Sequence, residues 1–229
     1  MLWHSRCGLA LLIASVQLTP VLSAPVTPAA PAAMIVPFQA AGPNILGTVA
    51  VPIKAERFRE NLNRARADAS SSPVLQHLIT PARPLPPLQQ LSFVQRAVHA
   101  SIQWVSDTTE WGQHDYWATA SQTLARGAGD MEDRAIVKMQ ALRALGFNNS
   151  DLFLTLARDR VGGPITVLIV RVSGKYYVLD DTGGAPFLAE ERRFEFQPVI
   201  TFGWSGAWVH LRPAAPSAVA SATTAFARK

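Results

Sequence analysis

The chain has 229 residues, 48% of them hydrophobic, 16% charged and 8% aromatic, with 17 Pro and 14 Gly. This length allows one globular domain or two small ones, and no series of apolar runs of about 20 residues is present, which excludes a polytopic helical membrane protein. Lys and Arg number 21 against 16 Asp and Glu, a net charge of +5, but the basic residues are scattered and accompany no nucleic-acid motif, so no nucleic acid is expected among the partners.

In chain order, His4 and Arg6 precede an apolar stretch from Gly8 to Leu18 and a run of small residues ending at Ala24. Residues 1–24 therefore read as a secretory signal peptide, whose apolar part has about half the length of a bilayer span. A periplasmic or otherwise exported protein is expected, with an inner-membrane anchor as the alternative. The single cysteine, Cys7, falls inside this segment. Once the segment is removed, the chain has no disulfide, no thiolate metal ligand and no cysteine nucleophile. Residues 25–50 are rich in Ala and Pro and read as a linker, residues 213–229 as a similar disordered tail, and a domain is expected over 51–212.

Helices are expected from Ile53 to Ala69, Leu88 to Ser106, Ala118 to Arg126 and Met131 to Leu145. The last carries Ala135, Ile136, Met139 and Leu142 at helical spacing, with Gly146 where a C-terminal cap belongs. Strands follow at Leu152 to Ala157, Ile165 to Val172, Lys175 to Leu179, Phe196 to Thr201 and Ala207 to His210, with Ser173-Gly174 as a hairpin turn. Helices first and strands afterwards give an α+β order with an antiparallel sheet.

The densest chemistry is Gly127-Ala-Gly129-Asp130-Met131-Glu132-Asp133, a glycine-rich approach to a helix start carrying three carboxylates. Two readings stand: acids complementing the helix dipole, or oxygen ligands for a hard cation such as Ca²⁺. It is no dinucleotide fingerprint, for a third glycine is missing and no strand is expected before it. Gly203-Trp204-Ser205-Gly206-Ala207 comes near a nucleophile elbow, but Ala207 replaces the last glycine, a strand follows, and no acid lies between Ser205 and His210. His77, His99 and His114 lack zinc spacing. Trp104, Trp111, Tyr116, Trp117, Trp204 and Trp208 could fill a core or line a peptide groove; Trp111 and Trp117 are the candidate binding residues.

Several of these residues fall into a longer pattern running from about Phe93 to His210. It comprises Val94-Gln95, Val98-His99, Ile102 and Trp104, then Asp107, Trp111-Gly112 and Asp115-Tyr-Trp-Ala-Thr119. The Gly127–Asp133 block, Val178-Leu-Asp-Asp181, Pro198 and Gly206-Ala-Trp-Val209 complete it. The pattern resembles the bacterial transglutaminase-like cysteine proteinases, known for the LapG-type periplasmic proteases that release biofilm adhesins. The resemblance implies a papain-like fold of the transglutaminase-like variant, with a helical N-terminal part packed on an antiparallel sheet.

The departures fall on the catalytic positions: the resemblance places the family's cysteine at Met131, its histidine at Thr166 and its triad acid at Asp180. A thioether has no proton to lose, so a thiolate mechanism is unavailable. The expectation is a catalytically inactive homologue, a pseudoenzyme in which Met131 and Thr166 pack against each other and Asp180 is a solvated strand-end acid. The family's calcium ligands correspond to Asp130 and Glu132, which makes Ca²⁺ the candidate cofactor, while Asp133 is expected as a structural acid of the helix start. The implied partner is a peptide or an envelope protein, such as the periplasmic domain of a membrane receptor. An active peptidase with a non-standard site and a vestigial structural envelope protein are the alternatives.

Overall fold

The computed structural model describes residues 42–193 and 195–212. The signal peptide, the linker up to residue 41 and the tail from residue 213 lie outside the described residues. The elements are β1 (Val49–Ile53), α1 (Arg59–Arg66), α2 (Pro73–Ile79), α3 (Pro87–Ser101), β2 (Gln103–Trp104), α4 (Asp107–Trp111), α5 (Ala120–Arg126), β3 (Ala128–Gly129) and α6 (Met131–Ala144). After them come β4 (Leu152–Arg158), β5 (Pro164–Val172), β6 (Lys175–Leu179), β7 (Phe187–Leu188), β8 (Gln197–Phe202) and β9 (Ala207–Leu211).

Seven strands form one antiparallel sheet in the order β1-β9-β8-β4-β5-β6-β7, while β2 and β3 make a short parallel ladder. The α+β class and the helical part on an antiparallel sheet are thus as expected. Alternation along β5 divides the core between the two sheet faces. Leu168 and Val170 join the helices through Val94, Val98, Ile136 and Leu142, whereas Val167 and Ile169 meet Ile45, Phe153, Phe187 and Trp208.

Helix α6 packs against β5, α3 and α5. Asp130 caps it, its Oδ1 accepting from the amides of Glu132 at 3.1 Å and Asp133 at 3.3 Å. It closes with Gly146 at φ +99° and with amide bonds from Gly146 to Arg143 O and from Phe147 to Leu142 O, a Schellman motif. Every residue from Asp133 to Leu142 is buried. Its polar side chains therefore need internal partners. Arg134 donates to Ile102 O and to Asp181, Gln140 donates to Ala65 O, and Lys138 donates to Asp180 O.

The N-terminal part departs from expectation. The helix expected from Ile53 to Ala69 is instead the end of β1, a single 3-10 turn at Glu56–Phe58 and the two-turn α1. Strand β1 lies at the sheet edge, paired with β9 from Val49↔Leu211 to Ile53↔Ala207. Its Ala50 amide donates to Asn44 Oδ1 at 2.9 Å, and Pro52, two residues on, has no N–H to offer, so the outer edge is closed to further pairing. The fold also begins before residue 51, inside the expected linker. Ile45 is fully buried, and a Cβ at Gly42 would lie 2.4 Å from Trp208 Cδ1, so only glycine allows this close approach. Helix α3 stops at Ser101, not Ser106, because Gln103 and Trp104 pair with Ala128 and Gly129. The Ser72-Pro73 start of α2 and the short α4 were not expected.

Two buried features of this frame matter below. His210 of β9 bonds Thr48 Oγ1 through Nδ1 and Thr201 Oγ1 through Nε2, each at 2.8 Å, and Thr201 Oγ1 lies 2.9 Å from Thr155 Oγ1. Because the Thr48 hydroxyl proton goes to Ile45 O, Thr48 accepts from Nδ1–H and the ring is the neutral Nδ1–H tautomer. Burial pushes the imidazole pKa down to about 4. Trp117, a binding candidate in the sequence, is instead core: 1% exposed, with ring centroids 6.2 Å from Phe58 and 5.9 Å from Phe202. Large apolar area draws an indole inward when helix and sheet meet around it. Accordingly, Trp117→Ala lowers the unfolding free energy by about 3–5 kcal/mol in urea titrations. A loss below about 1 kcal/mol would return Trp117 to a surface role.

Candidate active-site face and acid cluster

Met131 is the first residue of α6 and half-buried. It lines a cavity of about 340 Å³ together with Ile165 and Thr166 of β5, Asp180 and Asp181 after β6, and Asp159–Val161 of the β4–β5 turn. The fold therefore brings Met131, Thr166 and Asp180 to one cavity, although they are far apart in the chain. None of the histidines among the described residues lines it.

The chemistry of these three differs from expectation in two respects. Thr166 Oγ1 donates to Glu132 Oε1 at 2.6 Å, so its hydroxyl serves an acid and is not spent on an apolar contact with Met131. Asp180 is not a solvated strand-end acid; it is only 9% exposed. Its Oδ1 accepts from Gln95 Nε2 at 3.0 Å, Thr182 Oγ1 at 2.8 Å and the Thr182 amide at 3.1 Å. Burial holds the neighbouring Lys138 ammonium down at about 8, partly offset by the Asp181 and Asp180 charges. Three helix-borne groups, Gln95, Arg134 and Lys138, thus fix the Asp180-Asp181 corner.

The acids at the start of α6 belong to a larger group. Carboxylate oxygens of Asp107, Asp130 and Asp133 lie within 4.8 Å of one another. Asp107 Oδ2 accepts from the Tyr116 amide at 2.6 Å and Asp133 Oδ1 from the Ala118 amide at 2.8 Å, tying α4 and the 116–118 segment to α6. Gly129 makes the space: a Cβ there would lie 2.8 Å from Asp133 Oδ2. That Oδ2 and Asp107 Oδ1 are buried without any donor. Buried carboxylate oxygens without donors are costly unless protonated or paired with a cation. Burial and mutual repulsion raise the Asp130 carboxyl, while burial, with lesser repulsion from Asp107, brings Asp133 to about 7. Glu132 is also raised, by burial first.

An all-oxygen, acid-rich site with unsatisfied lone pairs fits a hard cation such as Ca²⁺. Asp107, Asp130 and Asp133 would hold it, while Asp115 and Glu132 border the adjoining cavity of about 180 Å³. Of the two metal residues expected, Asp130 is in the cluster and Glu132 is engaged with Thr166. Asp133, expected as a purely structural acid, is a cluster member. Asp107 was missed as a member of the acid cluster; its only sequence signal was its place in the motif Asp107…Trp111-Gly112. Trp111 does not line the Met131 cavity: its ring stacks 4.6 Å from Tyr116 and lies under the Arg126 guanidinium at 4.3 Å, with Arg126 paired to Glu110.

A capped helix whose first residue meets Thr166 of β5 and Asp180 just beyond β6 across a cavity, packed on one antiparallel sheet, is the arrangement of a transglutaminase-like α+β fold. Residues 49–215 match the family of bacterial transglutaminase-like cysteine proteinases, BTLCP, and the chain belongs to that family. Among solved structures it is similar to LapG of Legionella pneumophila, at 21% identity over 77% of this chain and 97% of that one, with a TM-score of 0.51. The calcium-bound form of that LapG matches at 19% identity over 73% of this chain and 98% of that one, TM-score 0.52. Its EGTA-treated form matches at 21% identity over 73% and 89%, TM-score 0.51. At this identity the likeness shows a shared fold. No curated protein sequence matches the chain.

Proposed function

We propose that this chain is an exported, catalytically inactive member of its family that acts by holding a peptide or an envelope protein, such as the periplasmic domain of a membrane receptor, on the Met131 face. One observation carries the reading: the family-matched span, residues 49–215, contains no cysteine. At the mouth of α6 stands a thioether, which cannot form the thiolate that attacks a carbonyl. Among the described residues no imidazole lines the cavity to act as base, and Asp180 spends its carboxylate on Gln95 and Thr182. What remains is a preformed cavity lined by apolar side chains such as Met131, Ile165, Val167 and Phe196 together with polar ones such as Thr166, Asp180 and Thr182, the general form of a binding site. Export rests on residues 1–24, and no helix among the described residues is long and apolar enough to cross a membrane.

Ca²⁺ is the cofactor proposed for the acid cluster. Support comes from the two donorless carboxylate oxygens and from the existence of a calcium-bound LapG structure. The reading is tested by incubating the purified protein with labelled casein and a mixed peptide library in Ca²⁺ and in EGTA. No product above the protein-free control is expected in either. Cleavage that rises with enzyme concentration and disappears in Asp180→Asn would overturn the pseudoenzyme reading.

A further inference from the structure

A second cavity of about 340 Å³ lies away from the Met131 face and shares no residue with it. One wall is the face of the 3-10 turn and α1 that carries Glu56, Arg59, Leu62 and Arg66. The opposite wall is the β8–β9 turn with Trp204, and Ile53 lies at the end of β1. The spacing 59, 62, 66 places two guanidiniums and a leucine on one side of the helix.

Two guanidiniums face this cavity against a single carboxylate. Arg66 is half-buried, donates from Nη2 to Gly203 O at 2.8 Å and sits 5.6 Å from the Trp204 ring centroid. Neither Arg66 nor Arg59 forms an ion pair among the described residues. Burial without an anion pushes the Arg66 guanidinium below its usual value. A third cation, Arg143, stacks on the same indole at 4.5 Å. Glu56 is the one carboxylate on the wall, and it is exposed. Planar guanidiniums beside an indole recognise an oxyanion by forked hydrogen bonds while the ring and aliphatic wall take an apolar body.

We infer that this cavity between α1 and the β8–β9 turn binds an organic anion: a carboxylate or phosphate carried on an apolar or planar body and held by Arg59 and Arg66 against Trp204. The site is independent of the pseudoenzyme reading, since neither Met131 nor the acid cluster contributes to it.

The test is calorimetric titration of the full chain with phenyl phosphate, benzoate and the neutral benzamide. Both anions are expected to bind and benzamide is not. The ratio of the two anion affinities distinguishes a phosphate-bearing from a carboxylate-bearing ligand. Arg59→Gln, at an exposed side chain without an internal partner, should weaken anion binding roughly tenfold, and Glu56→Gln should tighten it. Arg66→Gln should weaken it further, and a melting curve on that variant separates lost binding from lost packing against Gly203. Anions binding no better than benzamide would overturn the inference. So would anion binding indifferent to both Arg59→Gln and Glu56→Gln. Neither result would bear on whether the protein cleaves peptides.

Discussion

Without divalent cation, the melting temperature falls as pH is raised from about 6.5 to about 8, and saturating Ca²⁺ removes the fall. The sign follows from proton counts. Asp133 titrates near 7 in the folded protein, well above its unfolded value of about 3.9, so between these values the folded state holds a proton that the unfolded state lacks. Stability therefore falls with rising pH up to about 7, by on the order of 1 kcal/mol per unit for this group, and this contribution levels off above that. Asp130, raised to about 8 by burial and the neighbouring carboxylates, carries the fall on from about pH 7 to about pH 8, and Glu132 is raised in the same direction.

His210 acts oppositely. Its folded value of about 4 lies below the unfolded value of about 6.5, so within that window the unfolded state holds the extra proton and stability rises with pH. Below about pH 6.5 the two effects oppose each other; above it, where both forms of His210 are neutral, the acids act alone. Bound Ca²⁺ replaces the protons of the cluster and leaves only the rising histidine limb. At about a hundredfold excess over Kd the ion adds about 2.7 kcal/mol, or roughly 5–10 °C at this size. Scanning calorimetry in Ca²⁺ and in EGTA across this range gives curves that diverge upward in pH. Asp133→Asn should make the EGTA curve shallower, chiefly below about pH 7, and abolish the Ca²⁺ shift. Superimposable curves for the wild-type protein would mean that the acids are helix-start charges and no more.

How much of this was legible in the sequence depends on how local the signal is. Helix α6 carries its own start and stop, Asp130 and Gly146, and it forms where expected. Strands β4, β5, β6, β8 and β9 are dense in β-branched and aromatic residues and lie within a residue or two of the expected ranges. Strand β1 has no such signal. Val49–Ile53 contains a proline, its partner β9 is near the other end of the domain, and Ile53 continues smoothly into the polar run of α1, so a helix was read across the break.

The site divides in the same way. Resemblance to a family motif brought Met131, Thr166 and Asp180 into one group, and the fold assembles them around one cavity. What those groups bond to was not legible. Asp180 is stabilised by Gln95 from α3 and Lys138 from α6, and Thr166 by Glu132, all pairings across elements. Asp107 joins the cluster only because the β2–β3 ladder places the start of α4 beside Gly129. Burial, which decides between the groove and core readings of Trp117, is likewise a property of the packed molecule.

The remaining large effect concerns position 131, where the family resemblance places a nucleophile. In a Cys7→Ser background, the Met131→Cys thiol should react with iodoacetamide at least about tenfold faster in Ca²⁺ than in EGTA at about pH 8.5, where the cluster acids are ionised in the absence of the ion. Position 131 is the first residue of a four-turn helix, whose dipole favours a thiolate. Its neighbours oppose this, since Asp130 and Glu132 adjoin it in the chain and Asp180 lines the same cavity. A like charge within about 4–6 Å shifts a pKa by one to three units, so neutralising the cluster raises the thiolate fraction by one or more powers of ten. Adding Thr166→His places an imidazole beside Glu132, which should extend fast alkylation down toward about pH 6 by stabilising a thiolate–imidazolium pair. If both variants react like a free cysteine with and without Ca²⁺, position 131 does not occupy a nucleophile's site, and the argument that this protein lost its chemistry by substitution there fails. A Ca²⁺-dependent gain would instead show that the old electrostatic frame persists around a side chain that cannot use it.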